Sequence, residues 1–231
     1  MSTPAATPLH WKPVALPGPV TLRGRHVTLE PLNAERHAAA LWEALRGHDE
    51  LWEWLPYGPF ATESDLRRHI EERQAAAGFV FLAIVSAATG LAEGWASYMR
   101  VEPAHGVVEV GYILFAPSLR RTTAATEAMY LMASHVFDDL GYRRYEWKCD
   151  AENLPSRRAA ERLGFTFEGI FRQHMIVKGR NRDTVWLSML DSEWPARKPV
   201  IEDWLAAENF DENGRQRRSL LLAPAALGKP E

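Results

Sequence analysis

A strand, a short cationic loop and a helix follow one another over residues 107–140, and this succession constrains the fold more than any other stretch. Val107–Phe115 is apolar apart from Glu109, which predicts a buried strand. The loop Arg120-Arg121-Thr122-Thr123 then leads into a helical pattern over about 124–140. The first turn of a helix presents unpaired N–H groups and a positive dipole end, so phosphates bind there. The stretch therefore predicts an anion-binding loop at the end of a buried strand.

Five short phrases surround this loop in a fixed order: Glu109-Val-Gly-Tyr, Thr126-Glu-Ala, Asn153-Leu-Pro-Ser-Arg, Leu163-Gly-Phe and Glu168-Gly. In this order and spacing they resemble the GCN5-related N-acetyltransferases, in the branch of the ribosomal-protein alanine acetyltransferases. The resemblance covers roughly residues 20–192. That family binds the pyrophosphate of acetyl-CoA on a loop of pattern Gln/Arg-x-x-Gly-x-Gly/Ala. The matching residues are 120–125, with Thr123 at the position of the central glycine.

The remaining pattern favours a mixed α/β fold of about seven strands and four or five helices. The resemblance implies the acyl-CoA N-acyltransferase fold, with a mostly antiparallel sheet that is splayed at the cofactor loop and often bulged in its central strand. The predicted divisions are an extended N-terminal arm over 1–19, an acetyltransferase domain over 20–195, and a C-terminal helix with a loosely held tail over 196–231. We expect Trp11 to pin the arm to the body and the last helix to span 200–209.

Composition excludes several functional classes. The net charge of −3 gives no general attraction to nucleic acid or anionic membranes, and no apolar run is long enough to span a bilayer. The N-terminus lacks the pattern of a signal peptide. A single cysteine, Cys149, excludes an internal disulfide, and the eight histidines show no metal-ligand spacing. We expect a cytoplasmic monomer or homodimer that has no metal and binds neither nucleic acid nor membrane.

Acetyl transfer from a thioester to an amine requires a neutral attacking amine, a stabilised oxyanion and a protonated leaving thiolate. Glu109 stands alone in an apolar strand, where a carboxylate is costly unless it is paired. We expect it to be the general base, acting through water; the alternative is a carboxylate on an exposed face or one bonded to an arginine. The resemblance implies Glu168 as a second candidate base. It also implies Ser156 as the acid, and the alternative is a first-turn serine that satisfies the backbone.

Acetyl-CoA is the expected co-substrate, held by the strand end, the loop and the next crossover. Backbone N–H groups of residues 121–126 should hold its phosphates, the alternative being an ordinary strand-to-helix loop. The resemblance implies that Asn153 touches the pantetheine arm, and the residue also suits a helix N-cap. The predicted cofactor-binding residues are Ile113, Leu114, Phe115, Arg120, Arg121, Thr122, Thr123, Ala124, Ala125, Thr126 and Asn153.

The acceptor site is expected on the irregular, proline-containing segment 51–60 and on the wall that faces it. Aromatic side chains there suit an apolar or cationic amine, although they would also suit a lid packed on the core. The acceptor is then a small-molecule amine, such as an amino acid, polyamine or antibiotic, or a protein N-terminal amine, and the aromatic segment slightly favours the former. The predicted acceptor-binding residues are Trp52, Trp54, Tyr57, Phe60, Tyr98, Arg172 and His174.

Other functions fit parts of the sequence. Thr123 favours a non-catalytic acyl-CoA-binding regulatory module. The segment 143–182 holds many arginines and lysines, which suit the cofactor's 3′-phosphate or an acidic partner and most often mark solvated sheet edges. A nucleic-acid-binding protein that uses this arginine-rich half is a rival, which the net charge opposes. The string His135-Val-Phe-Asp-Asp139 fits an HxxxD acyltransferase motif, but within a helix it predicts only an i,i+4 pair. Cys149 is expected in the core rather than as a nucleophile.

Overall fold

Eight strands form one open sheet in the computed structural model, which describes residues 9–220 and residue 222. The strands are β1 (Leu22–Arg23), β2 (Val27–Pro31), β3 (Phe79–Ser86), β4 (Ala92–Glu102), β5 (Val107–Phe115), β6 (Arg144–Asp150), β7 (Thr166–Val177) and β8 (Arg180–Leu190). Their order is β1-β2-β3-β4-β5-β6-β8-β7, and β5–β6 is the parallel pair among the described strands. The mixed, mostly antiparallel fold is therefore confirmed. The additional strand is β1, whose two residues are too few to give an alternating pattern.

Five α-helices pack against the sheet, and the last begins earlier than the sequence predicted. They are α1 (Ala34–Leu45), α2 (Glu63–Ala75), α3 (Thr123–Ser134), α4 (Leu154–Arg162) and α5 (Trp194–Leu205). The predicted range 200–209 is wrong because Pro195 lies in the first turn of α5, where proline needs no N–H partner, and the helix continues through Pro199. None of the described helices combines the length and apolar content needed to cross a membrane.

Helices cover both faces of the sheet and bury two separate cores. Alternate residues of each strand point to opposite faces. On one face, α3 and α5 cover a core that includes Tyr98, Val110 and Trp147. On the other, α1 and α2 cover a core that includes Trp95 and Leu114. A ligand on one face of the sheet can therefore contact only every second residue of a strand.

The N-terminal arm packs along one end of the sheet, as expected from Trp11. The Trp11 ring covers Gly106 so closely that a Cβ there would lie 2.3 Å from its Cζ2 atom. The Tyr142 hydroxyl donates to the Ala15 carbonyl at 3.0 Å. Residues 1–8 of the predicted arm, and residues 221 and 223–231 of the predicted tail, lie outside the described residues.

The central parallel pair separates halfway along its length. β5 and β6 pair from Val107↔Arg144 to Val110↔Trp147, after which β6 pairs only with β8. β5 also carries a bulge, because two of its residues, Tyr112 and Ile113, lie between the pairs Ser97↔Gly111 and Trp95↔Leu114. Tyr112 adopts φ 50°, in the left-handed region. The splayed sheet and the bulge implied by the resemblance are thus present, and together they open a cleft beside the end of β5.

Candidate active site

The cationic loop is organised by the side chain of Thr122. Its Oγ1 atom accepts the Ala125 N–H at 3.1 Å and donates to the Leu119 carbonyl at 2.6 Å, which caps α3. The Thr126 N–H bonds to the Thr122 carbonyl at 3.4 Å. The N–H groups of Ala125 and Thr126, both predicted to hold phosphate, are therefore used within the helix. Those of residues 121–124 have no intramolecular partner in the part of the chain that the structure describes.

The charges around this loop are positive. Arg120 and Arg121 are exposed, and the first turn of α3 contains no acidic residue. Glu127, one turn further on, points away and accepts the backbone N–H groups of residues 25–27 at 2.6–2.9 Å. Gly24 makes room for that carboxylate, since a Cβ there would lie 2.4 Å from its Oε2 atom. The Glu127 tie between α3 and β2 leaves the loop free of negative charge. The phrase Thr126-Glu-Ala contained this residue, but its bonds to residues 25–27 were not predicted.

Glu109 is buried within an ionic cluster. It is 3% exposed, and its carboxylate accepts Arg100 Nη1 at 2.8 and 3.1 Å and Lys148 Nζ at 2.8 Å. Lys148 also donates to Glu146 at 2.7 Å and lies 3.8 Å from the centre of the Trp186 ring. The burial expected for Glu109 and the arginine pairing weighed as its alternative are both present. Lys148 is the partner that sequence reasoning missed.

The cluster continues to the second predicted base. Arg144 bonds Glu146 through Nε at 2.7 Å and reaches Glu168 through Nη1 at 2.8 Å. The Ser188 hydroxyl donates to Glu168 at 2.7 Å. These bonds, chiefly those from Arg144, hold the pKa of Glu168 below its usual value. The two carboxylates singled out in the sequence are therefore the two ends of one chain of alternating charges that runs through Lys148.

Ser156 lies in the first turn of α4, beside the separated end of β6. Asn153 caps this helix, because its Oδ1 atom accepts the Ser156 N–H at 3.1 Å. The Ser156 Oγ atom accepts the indole N–H of Trp147 at 3.0 Å. The hydroxyl proton can therefore point elsewhere. Cys149 is buried nearby, which raises the pKa of its thiol, in agreement with its expected place in the core.

The aromatic segment 51–60 folds onto α2 and β5. The centre of the Tyr57 ring lies 4.2 Å from that of His69 and 5.6 Å from that of the bulge residue Tyr112, with the rings tilted, and Trp52 meets Phe60 edge-on at 5.1 Å. Lys178, at the tip of the β7–β8 hairpin, donates to the Trp52 carbonyl at 2.8 Å. The hairpin and the aromatic segment therefore touch each other on the face of the sheet opposite α3, which is called the cleft face below.

Trp54, Arg172 and His174 lie around the β7–β8 hairpin. Trp54 lines a pocket with charged residues of the hairpin, among them Arg182. Arg172 is exposed, and His174 bonds Thr184 through Nδ1 at 3.0 Å. Burial and nearby cations lower the pKa of His174. His174 therefore lies near Arg100 and Lys148 of the ionic cluster, and its contact with the acceptor stays a prediction.

The structure also corrects the predicted placement of Tyr98. It is fully buried on the α3 face, and its hydroxyl donates to the Met132 carbonyl at 2.9 Å. Its neighbours Ser97 and Met99 point to the cleft face instead, because side chains alternate along β4. The nearby HxxxD string forms the expected i,i+4 pair, with His135 Nδ1 at 2.8 Å from Asp139 Oδ2.

Comparisons with known proteins agree with this geometry. A family model described as "Acetyltransferase (GNAT) domain" matches residues 26–166. A GCN5-related N-acetyltransferase from Brucella melitensis, known from a crystal structure, is 48% identical in sequence. The match covers 91% of this chain and 96% of the Brucella chain, with a TM-score of 0.89. One from Chromobacterium violaceum, titled a probable acetyltransferase (GNAT family), is 43% identical, with coverages of 84% and 100% and a TM-score of 0.77.

A curated relative carries the name of the branch that the sequence resembles. The Bacillus subtilis protein named "Putative ribosomal N-acetyltransferase YdaF" is 26% identical over 186 residues, which are 75% of this chain and 96% of that protein. The family model extends from β2 to the first residue of β7, and the two structural relatives cover 91% and 84% of this chain. This protein therefore belongs to the GNAT family of acetyltransferases and is an N-acetyltransferase, an enzyme of the class that uses acetyl-CoA.

Proposed function

We propose that the protein transfers an acetyl group directly from acetyl-CoA to a primary amine while both are bound. The observation that carries this proposal is the separation of β5 from β6 beside a helix N-terminus whose first N–H groups lack partners among the described residues. A small-molecule amine is favoured over a protein N-terminus, because the Lys178–Trp52 contact closes the aromatic side of the cleft.

The donor set at the cleft fits acetyl-CoA. The N–H groups of residues 121–124, with Arg120 and Arg121 beside them, suit the pyrophosphate, and the Thr123 hydroxyl adds a donor where the family has glycine. The backbone of residues 113–115 has no partner in β6 and suits the pantetheine arm and the thioester carbonyl. Asn153 caps α4 through Oδ1, which leaves its side-chain NH₂ for the same arm.

Acetyl-CoA supplies an acyl group on a thiol whose pKa is ordinary for thiols, about 8.5, so the thiolate is a tolerable leaving group. The amine nitrogen bonds to the carbonyl carbon as the carbon–sulfur bond breaks. Glu109, through water, takes the proton that the amine loses, and Ser156 donates its hydroxyl proton to the departing thiolate. Glu168 is the second candidate base, at the other end of the chain of charges.

A screen of amines and peptide N-termini, with detection of the released thiol, tests the proposal. Turnover of small amines by the wild type, and its loss in Ser156→Ala and Glu109→Gln, is the expected result. Binding of acetyl-CoA without turnover of any amine would instead favour the regulatory module that Thr123 suggested. Turnover of peptides alone would assign the acceptor to protein N-termini.

A further inference from the structure

Four buried polar atoms without partners gather beneath the aromatic segment. They are Tyr57 Oη, His69 Nε2, Arg73 Nε and Trp95 Nε1, and none has a hydrogen-bond partner among the described residues. His69 is 7% exposed and Trp95 1% exposed. Buried polar atoms are normally bonded, so a group of four in one place indicates something that the protein itself does not supply.

The four atoms belong to one cluster. The rings of Tyr57 and His69 are 4.2 Å apart, and His69 and Arg73 are one helical turn apart on α2. The Trp95 indole lowers the pKa of Tyr57 against the larger, raising effect of burial, so the two groups are close, and neither polar atom has a hydrogen-bond partner among the described residues. The unpartnered atoms therefore come from the aromatic segment, α2 and β4 and converge on one region.

Arg73 gives this region an uncompensated positive charge. Its neighbours on the same helix, Arg67 and Arg68, pair with Glu63 and Asp65, whereas Arg73 is in none of the ion pairs formed by the described residues. Burial, and then the charge of Arg73, lowers the pKa of His69 to about 4, so the imidazole is neutral at pH 7. Burial raises the pKa of Tyr57, which keeps its hydroxyl protonated. The region therefore offers hydrogen-bond donors, one neutral imidazole and one free cation.

The cluster borders the cleft at the position proposed for the acyl group. Trp95 is directly paired with Leu114 across β4 and β5. The Tyr57 ring lies 5.6 Å from that of Tyr112, the residue of the β5 bulge. A ligand that filled the cluster would therefore lie next to the proposed thioester site.

We infer that the acceptor amine also carries a carboxylate, as amino acids and their derivatives do, and that Arg73, Tyr57, Trp95 and His69 bind it. This inference rests on the proposed acetyl transfer. A guanidinium with hydroxyl and indole donors matches the acceptor-only oxygens of a carboxylate, and the surrounding rings pack against the carbon skeleton. Polyamines are excluded as preferred substrates, because a second ammonium group would lie against Arg73.

Matched acceptors test the inference. Thiol release is measured with amino acids, with the corresponding amino-acid amides, and with the corresponding decarboxylated amines. For the wild type, kcat/KM should favour the carboxylates. Arg73→Met should reduce that preference by about 10- to 100-fold, the usual effect of losing a charge-assisted hydrogen bond. Tyr57→Phe should reduce it less, because its hydroxyl is neutral.

Arg68→Met is the matched control, since Arg68 lies on the same helix, is largely exposed and pairs with Asp65. It should leave the preference for carboxylates unchanged. An equal ratio of carboxylate to amide turnover in the wild type and in Arg73→Met would overturn the inference. A preference for aminoalkyl phosphates over amino acids would overturn the assignment of the anion as a carboxylate.

A binding measurement without acetyl-CoA separates this inference from the proposed function. Calorimetry with an N-acetyl amino acid and with its amide should show tighter binding of the acid by the wild type, and no such difference in Arg73→Met. If amines are acetylated regardless of a carboxylate, the transfer reaction stands and the anion site fails. If no amine is acetylated but the N-acetyl amino acid still binds through Arg73, the anion site stands and the proposed reaction fails.

Discussion

A single hydrogen bond controls the group proposed to protonate the leaving thiolate. Trp147 donates its indole N–H to Ser156 Oγ at 3.0 Å, so an Oγ lone pair is occupied and the O–H can point into the cleft. When Ser156 gives up its proton, negative charge develops on Oγ, and the indole N–H stabilises that charge. Trp147 is thus a positioning residue that acts through Ser156.

Trp147→Phe should lower kcat about 5- to 10-fold, the value of one hydrogen bond to a group that gains charge, with KM for acetyl-CoA nearly unchanged. The loss should grow as the leaving thiol becomes more basic, which acetyl thioesters of different thiols can measure. Trp194→Phe is the control, because in the same core it removes an indole hydrogen bond of 2.8 Å to Asp138, which does not involve Ser156. An equal loss in a Ser156→Ala background would show that Trp147 does not act through Ser156.

The Glu109 carboxylate has a structural and a proposed chemical role, and the two can be measured separately. Glu109→Gln leaves Lys148, whose side chain is 4% exposed, with Glu146 as its remaining carboxylate partner. Breaking such a buried pair should cost about 3–5 kcal/mol in the free energy of unfolding, measured by denaturant titration. The rate should fall most at low and neutral pH and recover at high pH, where the amine is already neutral.

Arg197→Met serves as the comparison for Glu109→Gln, since it breaks another buried ion pair, that of Arg197 with Glu193, which has no bond to the ionic cluster. It should lose stability without changing the shape of the pH–rate profile. A profile of unchanged shape in Glu109→Gln would remove Glu109 as the base and leave Glu168 as the candidate.

At the scale of elements, the bulge in β5 and the cap of α3 work together. The bulge turns the end of β5 away from β6, and the Thr122 cap fixes the helix that begins seven residues after Ala116. Between them the N–H groups of residues 121–124 have no partner among the described residues, while Glu127 is turned inward. Thr123, which replaces the usual glycine, is compatible with this arrangement. Thr123 is the first residue of α3, and Thr122 before it provides the cap.

Arg121→Ala should weaken acetyl-CoA binding about 10-fold, because it removes a charge beside the proposed pyrophosphate site. Binding of an acetyl-pantetheine analogue that lacks the phosphates should change little. Calorimetry on both ligands measures the difference, with Arg46→Ala as the control, since Arg46 is an exposed residue of the α1 end that pairs with Glu43. Equal losses for the two ligands would refute phosphate contact by this loop.

At the scale of the whole molecule, the two faces of one sheet serve different purposes. The α3 face is an apolar core that holds Tyr98 and Trp147. The opposite face carries the ionic chain, the aromatic segment and the unpartnered donors around Arg73, and the Lys178 contact closes it. Because of this division, neighbouring residues of β4 have different surroundings: Tyr98 lies in the core on the α3 face, whereas Ser97 and Met99 lie on the opposite face.

Local patterns predicted the β5–loop–α3 unit, because it depends on neighbouring residues, and the resemblance of five phrases over residues 109–169 indicated the family. Tyr98 was misplaced because successive side chains of β4 alternate between the two faces of the sheet. Which set faces the cleft is decided by how the neighbouring strands and helices pack, and the sequence of β4 alone does not show it. Lys148 and Trp147 were missed because their partners lie on other elements. Arg73 was not recognised at all, since the absence of a partner becomes visible only when α2, β4 and the aromatic segment are brought together.

The buried imidazole of His69 should couple folding to pH. Its pKa is about 4 in the folded protein against an ordinary 6.5, so between these values the unfolded chain binds a proton that the folded protein does not. Its contribution to stability is therefore fully present above pH 6.5 and is lost as the pH falls towards 4, with a loss on the order of 2 kcal/mol by pH 5. Urea titrations at pH 7, 6 and 5 should show a smaller fall in the free energy of unfolding for His69→Gln than for the wild type.

The exposed residue His48 provides the control, because His48→Gln should follow the wild type. Parallel curves for His69→Gln and the wild type would show that His69 does not set this dependence, and hence that Arg73 and burial do not keep its ring neutral.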